Sequence, residues 1–264
     1  MHRLLVIALS LLLTSPAAAL IVDASDEERF ERPPKDDPGW AYVGQRGSTS
    51  AVYLGNGWVL GVRHGGPGDL VLDGVTYPAV PKSMVQLVKP GAKDTKADLI
   101  LFRVDPAPDL PELPLREEPL HFGTRVTFIA LGQGRGEAIE LQGVAGFRWK
   151  PPAVKRWGTN RIYAGGIDVT VANTTWITRC FQTDFSPYGT PHETQAAVGD
   201  SGGAVFAKGL RGWELAGLLV SIAGGAEQEP RTALYGNTTN AADLGYYRPQ
   251  ILKLIRPDAQ AGGN

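Results

Sequence analysis

The stretch Gly199-Asp200-Ser201-Gly202-Gly203 decides how this chain is read. A serine set among glycines at this spacing is a candidate nucleophile. Its side chain must stand clear of the backbone, and the neighbouring amides must be free to face a substrate oxygen. Glycine permits that close approach and the dihedrals it needs. The chain has 33 glycines, yet at near-average Asp and Ser usage such a string arises by chance in under ~1% of chains of this length. The plain alternative is a turn serine in a glycine-rich loop.

Chain order narrows the chemistry. The string satisfies G-x-S-x-G, the nucleophile elbow of α/β-hydrolases, which place an acid and then a histidine after the serine. The histidines are His2, His64, His121 and His192, and none follows Ser201. An Asp-His-Ser order stays formally open through Asp36 and Asp37, although nothing around them supports it. The order His-Asp-Ser fits without strain. Residues 50–64 (SAVYLGNGWVLGVRH) read as a β-hairpin in which two apolar runs flank Gly55-Asn56-Gly57. His64 falls where the second strand gives out. Asp98 directly precedes an apolar run (97–104, ADLILFRV), whereas Asp105, Asp109, Glu117 and Glu118 lie in polar or proline-rich surroundings. Taken singly, His64 also reads as a hairpin-end residue and Asp98 as an ordinary strand-leading aspartate.

Together these motifs resemble the chymotrypsin-like (trypsin-fold) serine proteases. The resemblance implies an all-β fold of two packed six-stranded antiparallel Greek-key β-barrels with a short C-terminal helix. Residues 123–132 resemble the first strand of the second barrel, 218–224 the strand on which substrates lie, 232–235 the strand behind the specificity pocket, and 246–255 the closing helix. On this reading, 1–19 is a signal peptide, 20–120 the N-terminal barrel and linker, and 121–264 the C-terminal barrel, closing helix and tail. One departure is Val62-Arg63-His64-Gly65, where the family carries small residues ending Ala-His-Cys, so a disulfide is lost.

The same resemblance implies roles. Ser201 is the nucleophile, His64 the base and Asp98 the acid that orients it. The amides of Gly199 and Ser201 form the oxyanion hole. Asp200 pairs with a freed α-amino group, that of Ile21, or of Leu20 if the leader is cut after Ala19. Gln195, Ser221, Ala223 and Ala233 bind substrate in a narrow, uncharged pocket that takes small side chains. The family continues with two glycines after Ile-Val, and this chain has Asp23-Ala24 instead. The expected activity is peptide hydrolysis on a polypeptide substrate, with no metal or organic cofactor. An esterase using the same triad and a non-catalytic binding protein on the same fold are the alternatives.

Bulk properties agree. The chain has 26 basic and 27 acidic residues, a balance that argues against nucleic-acid binding. With 33 Gly, 20 Pro and many short apolar runs, it reads as a turn-rich β protein. His2-Arg3, the apolar run Leu4 to Leu13 and Ala17-Ala18-Ala19 read as a secretory leader. The mature protein is therefore expected to be secreted (extracellular or periplasmic), monomeric and without stable membrane association. Cys180 is the single cysteine, so no internal disulfide forms, and it reads as a small core residue. Residues 105–120, with Pro106, Pro108, Pro111, Pro114 and Pro119, read as the linker between barrels. Residues 148–157 (RWKPPAVKRW) read as a solvated loop, with binding of an anionic partner as the alternative. His121 reads as a surface or interface residue, and His192 as a solvated residue in a polar loop near the pocket, with substrate contact as the alternative.

Overall fold

A computed structural model describes residues 20–26 and 28–256, so the leader expected over 1–19 and the tail from 257 lie outside the described residues. The chain opens with strand β1 (Ile21–Val22). The first barrel follows as β2 (Val43–Arg46), β3 (Thr49–Gly55), β4 (Trp58–Gly61), β5 (Leu70–Leu72), β6 (Val75–Tyr77), β7 (Val85–Val88) and β8 (Lys96–Arg103). Its sheet runs β6-β5-β2-β3-β4-β8-β7. The segment after β6 bridges to the end of β8 at Ala79↔Val104, so β6 and β7 act as one interrupted strand that closes the ring on β8.

The second barrel contains β9 (Arg125–Leu141), β10 (Val144–Thr170), β11 (Ile177–Asp184), β13 (Ala204–Gly209), β14 (Gly212–Ala223) and β16 (Thr238–Asp243). The order β11-β16-β14-β13-β9-β10, with a further β11–β10 pairing, closes six antiparallel strands on themselves. Two short strands sit outside that ring: β12 (Thr194–Gln195), paired with β1, and β15 (Thr232–Leu234), paired with β10. Helix α1 (Leu244–Ile255) ends the fold, starting two residues before the expected Tyr246.

Turn chemistry explains the hairpins. The β3–β4 turn puts Asn56 and Gly57 at φ 52° and 78°. A two-residue turn with both φ positive matches strand twist, and Asn-Gly is the pair that adopts it most cheaply. Asp73-Gly74 does the same between β5 and β6.

The strands read as continuous apolar runs because both faces are covered. In β3, Val52 and Leu54 face the seam between barrels, and Ala51 and Tyr53 fill the first barrel's interior. In β8, Leu99 and Leu101 face the seam while Ile100 and Phe102 turn inward. In β13, Phe206 faces the seam and Val205 the second barrel's interior. This is the two-residue period of a pleated strand with apolar surroundings on each side.

Two further elements tie the barrels together. The linker docks on both, through Leu113 N to Leu54 O at 3.0 Å and Arg116 N to Leu215 O at 2.9 Å. Helix α1 buries Leu244, Tyr247 and Ile251 in the seam. The Gln250 side chain exchanges two hydrogen bonds with the backbone of Val88 on β7.

One expectation changes. Residues 148–157 form part of β10 rather than a solvated loop. Pro151 and Pro152 cannot donate to a ladder, and the register with β9 shifts between Lys150 and Val154, so the strand bulges instead of ending. Trp157 then packs edge-on against Phe30 and His192 at 5.1 and 5.0 Å between ring centres.

Candidate active site

His64 lies on a 3₁₀ turn (Arg63–Gly65) directly after β4, and Asp98 lies on the neighbouring β8. The Asp98 carboxyl is fully buried. One oxygen accepts the His64 backbone N–H at 2.8 Å, and the other meets His64 Nδ1 at 2.6 Å. The Asp98 amide donates to Thr178 Oγ1 of β11 at 2.9 Å, so the second barrel helps hold the acid. A carboxylate at that distance keeps the ring proton on Nδ1 and leaves Nε2 as the free basic nitrogen.

Ser201 sits in the loop between β12 and β13. Its carbonyl accepts from Ser50 N at 2.8 Å, Gly202 N donates to Leu219 O at 2.8 Å, and Gly203 N donates to Asp200 O at 2.8 Å. A Cβ at Gly65 would stand 2.9 Å from Thr49 Oγ1. The His64 turn and the Ser201 loop therefore border adjacent residues, Thr49 and Ser50, at the start of β3.

The flanking glycines have steric reasons to be glycine. Gly199 has φ 100°, and a Cβ there would lie 2.8 Å from Gly132 Cα. Gly202 has φ 83°, and a Cβ there would collide with Ser50 O. Among the described residues, the amides of Gly199 and Ser201 donate no hydrogen bond within the protein.

Asp200 points the other way, fully buried. One carboxyl oxygen accepts Ala197 N at 2.7 Å and Leu20 N at 3.3 Å. Its other oxygen has no hydrogen-bond partner among the described residues. Burial pushes the carboxyl up to about 8, against the pull of those two amides and of Arg156. The nitrogen at Asp200 belongs to Leu20, not to Ile21, which pairs with Gln195 in the β1–β12 ladder.

A small cavity of about 80 Å³ adjoins the serine, lined by Ala196, Ala197, Val198, Ser201 and Leu219 to Ile222. Of the four expected pocket residues, Ser221 lines it. Gln195 lies buried nearby, donating to Thr238 O at 3.3 Å. Ala223 is exposed at the far end of β14. Ala233 is buried in a satellite cluster with Ile21, Phe147 and Phe185. The reason is topological: β16, not β15, is the neighbour of β14, with Ser221 paired to Asn240.

Sequence reasoning missed Asn240. Its amide donates to Ser221 Oγ at 3.1 Å and accepts from Gln182 at 2.8 Å, so a polar chain backs the cavity. Glu193 does not reach the cavity. Its carboxylate is tied to Ser186 N, Thr190 N and Thr190 Oγ1. His192 packs among Phe30 and Trp157, where burial holds its ring below the usual imidazole range. Cys180 is a buried free thiol, pushed up by burial.

No family model and no curated protein matches the chain. Solved structures do resemble it. The inactive form of the Rv3671c protease is 15% identical, with 84% of this chain and 98% of that chain covered and a TM-score of 0.49. The murine norovirus NS6 protease is 15% identical over 77% of this chain and 90% of that one, at 0.45. The HtrA-type protease AlgW with a decapeptide is 18% identical over 78% of this chain, at 0.48, and the match spans about half of its length (51%).

Proposed function

We propose that this protein is a secreted serine endopeptidase that hydrolyses peptide bonds through an acyl-enzyme. The observation that carries the reading is His64 Nδ1 at 2.6 Å from the buried Asp98 carboxylate, with the glycine-framed Ser201 on a loop that borders the same end of β3 as the His64 turn. In the proposed cycle, Ser201 Oγ attacks the scissile carbonyl carbon and His64 Nε2 takes its proton. The amides of Gly199 and Ser201 meet the negative oxygen; a donor of this kind is worth about 2.7–4 kcal/mol in known cases. Collapse expels the amine, which takes the proton back from His64 and leaves an ester on Ser201. Water, deprotonated by His64, then attacks the ester; the Ser201 Oγ–carbon bond breaks, His64 returns the proton to Oγ, and the acid product leaves. Asp98 stabilises the imidazolium in both halves. The chemistry needs no metal or organic cofactor.

Cleavage after Ala19 would turn the Leu20 amide into an ammonium, 3.3 Å from Asp200 in the uncut chain. A buried carboxylate beside a cation ionises readily, so removal of the leader on export would also give Asp200 a cation that helps order the loop carrying Ser201. The 80 Å³ cavity supports a preference for small uncharged side chains such as Ala, Val or Thr before the cleaved bond.

A fluorophosphonate probe, casein and a peptide library test the reading on the mature monomer. Probe labelling and casein cleavage, both lost in Ser201→Ala, are expected. Cleavage of activated esters alone would indicate an esterase. No labelling would indicate a binding protein.

A further inference from the structure

Arg46, at the end of β2, is a fully enclosed guanidinium with 1% of its surface exposed. It lies beneath the turn that carries His64. Its Nη2 donates to Val62 O at 3.0 Å and to Thr49 Oγ1 at 3.1 Å. The slot exists because two neighbours lack side chains. A Cβ at Gly61 would stand 2.7 Å from Nη1, and one at Gly65 would collide with Nη2. The Phe102 ring closes the slot from the barrel interior, 5.8 Å from the guanidinium carbon. Nε and Nη1 have no hydrogen-bond partner among the described residues.

This is an expensive way to fill space. A buried cation with unpaired N–H groups costs stability, and an apolar side chain of similar length costs less. What the cation adds is a clamp on the carbonyl two residues before His64, together with a buried positive charge that interacts electrostatically with Asp98. Asp98 acts on Arg46 in return, partly offsetting the lowering that burial imposes on the guanidinium.

Other titratable groups on neighbouring elements make contacts of their own, while one oxygen each of Asp200 and Asp243 has no hydrogen-bond partner among the described residues. Arg63, in the same turn, lies over the Trp176 ring at 5.4 Å. Arg179 of β11 pairs with Asp168 at 2.8 Å. Asp243 caps α1 by accepting Gly245 N at 3.2 Å, and Asp200 faces Leu20 N. The Cys180 thiol, beside Asp98, is held neutral by burial.

We propose that Arg46 is a positioning residue for His64 and Asp98: it fixes the His64 turn through Val62 O and supplies the buried positive charge that favours the Asp98 carboxylate and disfavours a premature imidazolium. The role rests on the hydrolase reading, but its main test does not need turnover. In a Ser201→Ala background, the His64 ring is titrated by NMR with Arg46, Arg46→Met and Arg46→Lys. Removing the charge should raise the midpoint of the titration by about half to one pH unit. Arg46→Lys, which keeps the charge, should leave it in place.

With Ser201 restored, Arg46→Met should slow fluorophosphonate labelling about 10- to 100-fold through misplacement of the turn. Arg46→Lys should fall between, with its acidic limb unmoved. If Arg46→Met does not fold, Arg46→Gln removes the charge while keeping an amide that can reach Val62 O, and the same rise in midpoint is expected. Equal midpoints in the parent and the folded neutral variant overturn the proposal, whatever happens to the rate. A moved midpoint in a protein whose parent labels with no probe would reject the hydrolase reading alone.

Discussion

His64 comes from the first barrel and Ser201 from the second, and the two are secured in different ways. The His64 turn hangs from adjacent strands, β4 and β8, whose pairing places Gly61 opposite Ile100. Asp98 grips both its backbone and its ring, and Arg46 holds the preceding carbonyl. Every one of these contacts lies within the folded chain. The Ser201 loop adjoins Asp200, whose buried carboxyl accepts from the amides of Ala197 and Leu20, with the Arg156 charge also acting on it. The partners of the histidine half all lie within the described residues, whereas under the proposed activation the serine half would gain a cation for Asp200 only once Leu20 becomes the N-terminus.

The largest effects should come from breaking either half outright. Ser201→Ala should lower peptide turnover ~10⁴-fold or more with the melting temperature unchanged. Wild-type-like activity in a clean preparation would remove the assignment. Asp98→Asn should cost about 10⁴-fold in turnover while labelling geometry is retained, because an amide selects the wrong ring tautomer. If Asp98→Asn loses less than tenfold, the histidine half is not working as described.

The dependence of the serine half on its amine gives the next effect. Protein with residues retained or fused before Leu20 should show activity reduced by about 10- to 100-fold, by analogy with one lost buried ion pair. Its stability should also carry a distinct pH signature. In the uncut chain the Asp200 carboxyl titrates near 8 rather than in the usual carboxylate range, so between about pH 4 and 8 the folded state holds a proton that the unfolded state has released. Stability should fall with rising pH across that window in uncut Ser201→Ala protein. Protein starting at Leu20 should lack most of that fall. Thermal melts of the two forms at a series of pH values decide the matter, and parallel curves would contradict it.

The smallest effect concerns the cavity beside the serine half. Asn240→Ala removes the amide behind Ser221. It should broaden the preference before the cleaved bond toward larger apolar residues, with only a few-fold change in the best kcat/KM, since one or two carbon atoms in a pocket shift selectivity by about 1–3 kcal/mol. A library profile already dominated by Arg, Lys or large aromatics in the parent protein would show the cavity reading to be wrong while leaving the His64–Asp98 pair untouched.

Much of this is readable in the sequence. The Asn56-Gly57 turn, the glycines around Ser201 and the aspartate before β8 are local signals, decided by backbone dihedrals and by the polarity of immediate neighbours. Chain order alone removed the α/β-hydrolase reading, because no histidine follows Ser201. What stayed hidden depends on contacts between distant residues. Nothing near Arg46 in the chain says that its guanidinium lies under Gly61 and Gly65. Nothing in residues 232–235 says that they pair with β10 while β16 takes the place beside β14. The Pro151-Pro152 bulge inside β10 and the choice of Leu20 over Ile21 at Asp200 were settled in the same way. Turns, strand periods and the glycines around Ser201 are properties of short segments, so the sequence determined them by itself. Register, burial of charge and the depth of a cavity are properties of how segments meet, and only the tertiary structure decided those.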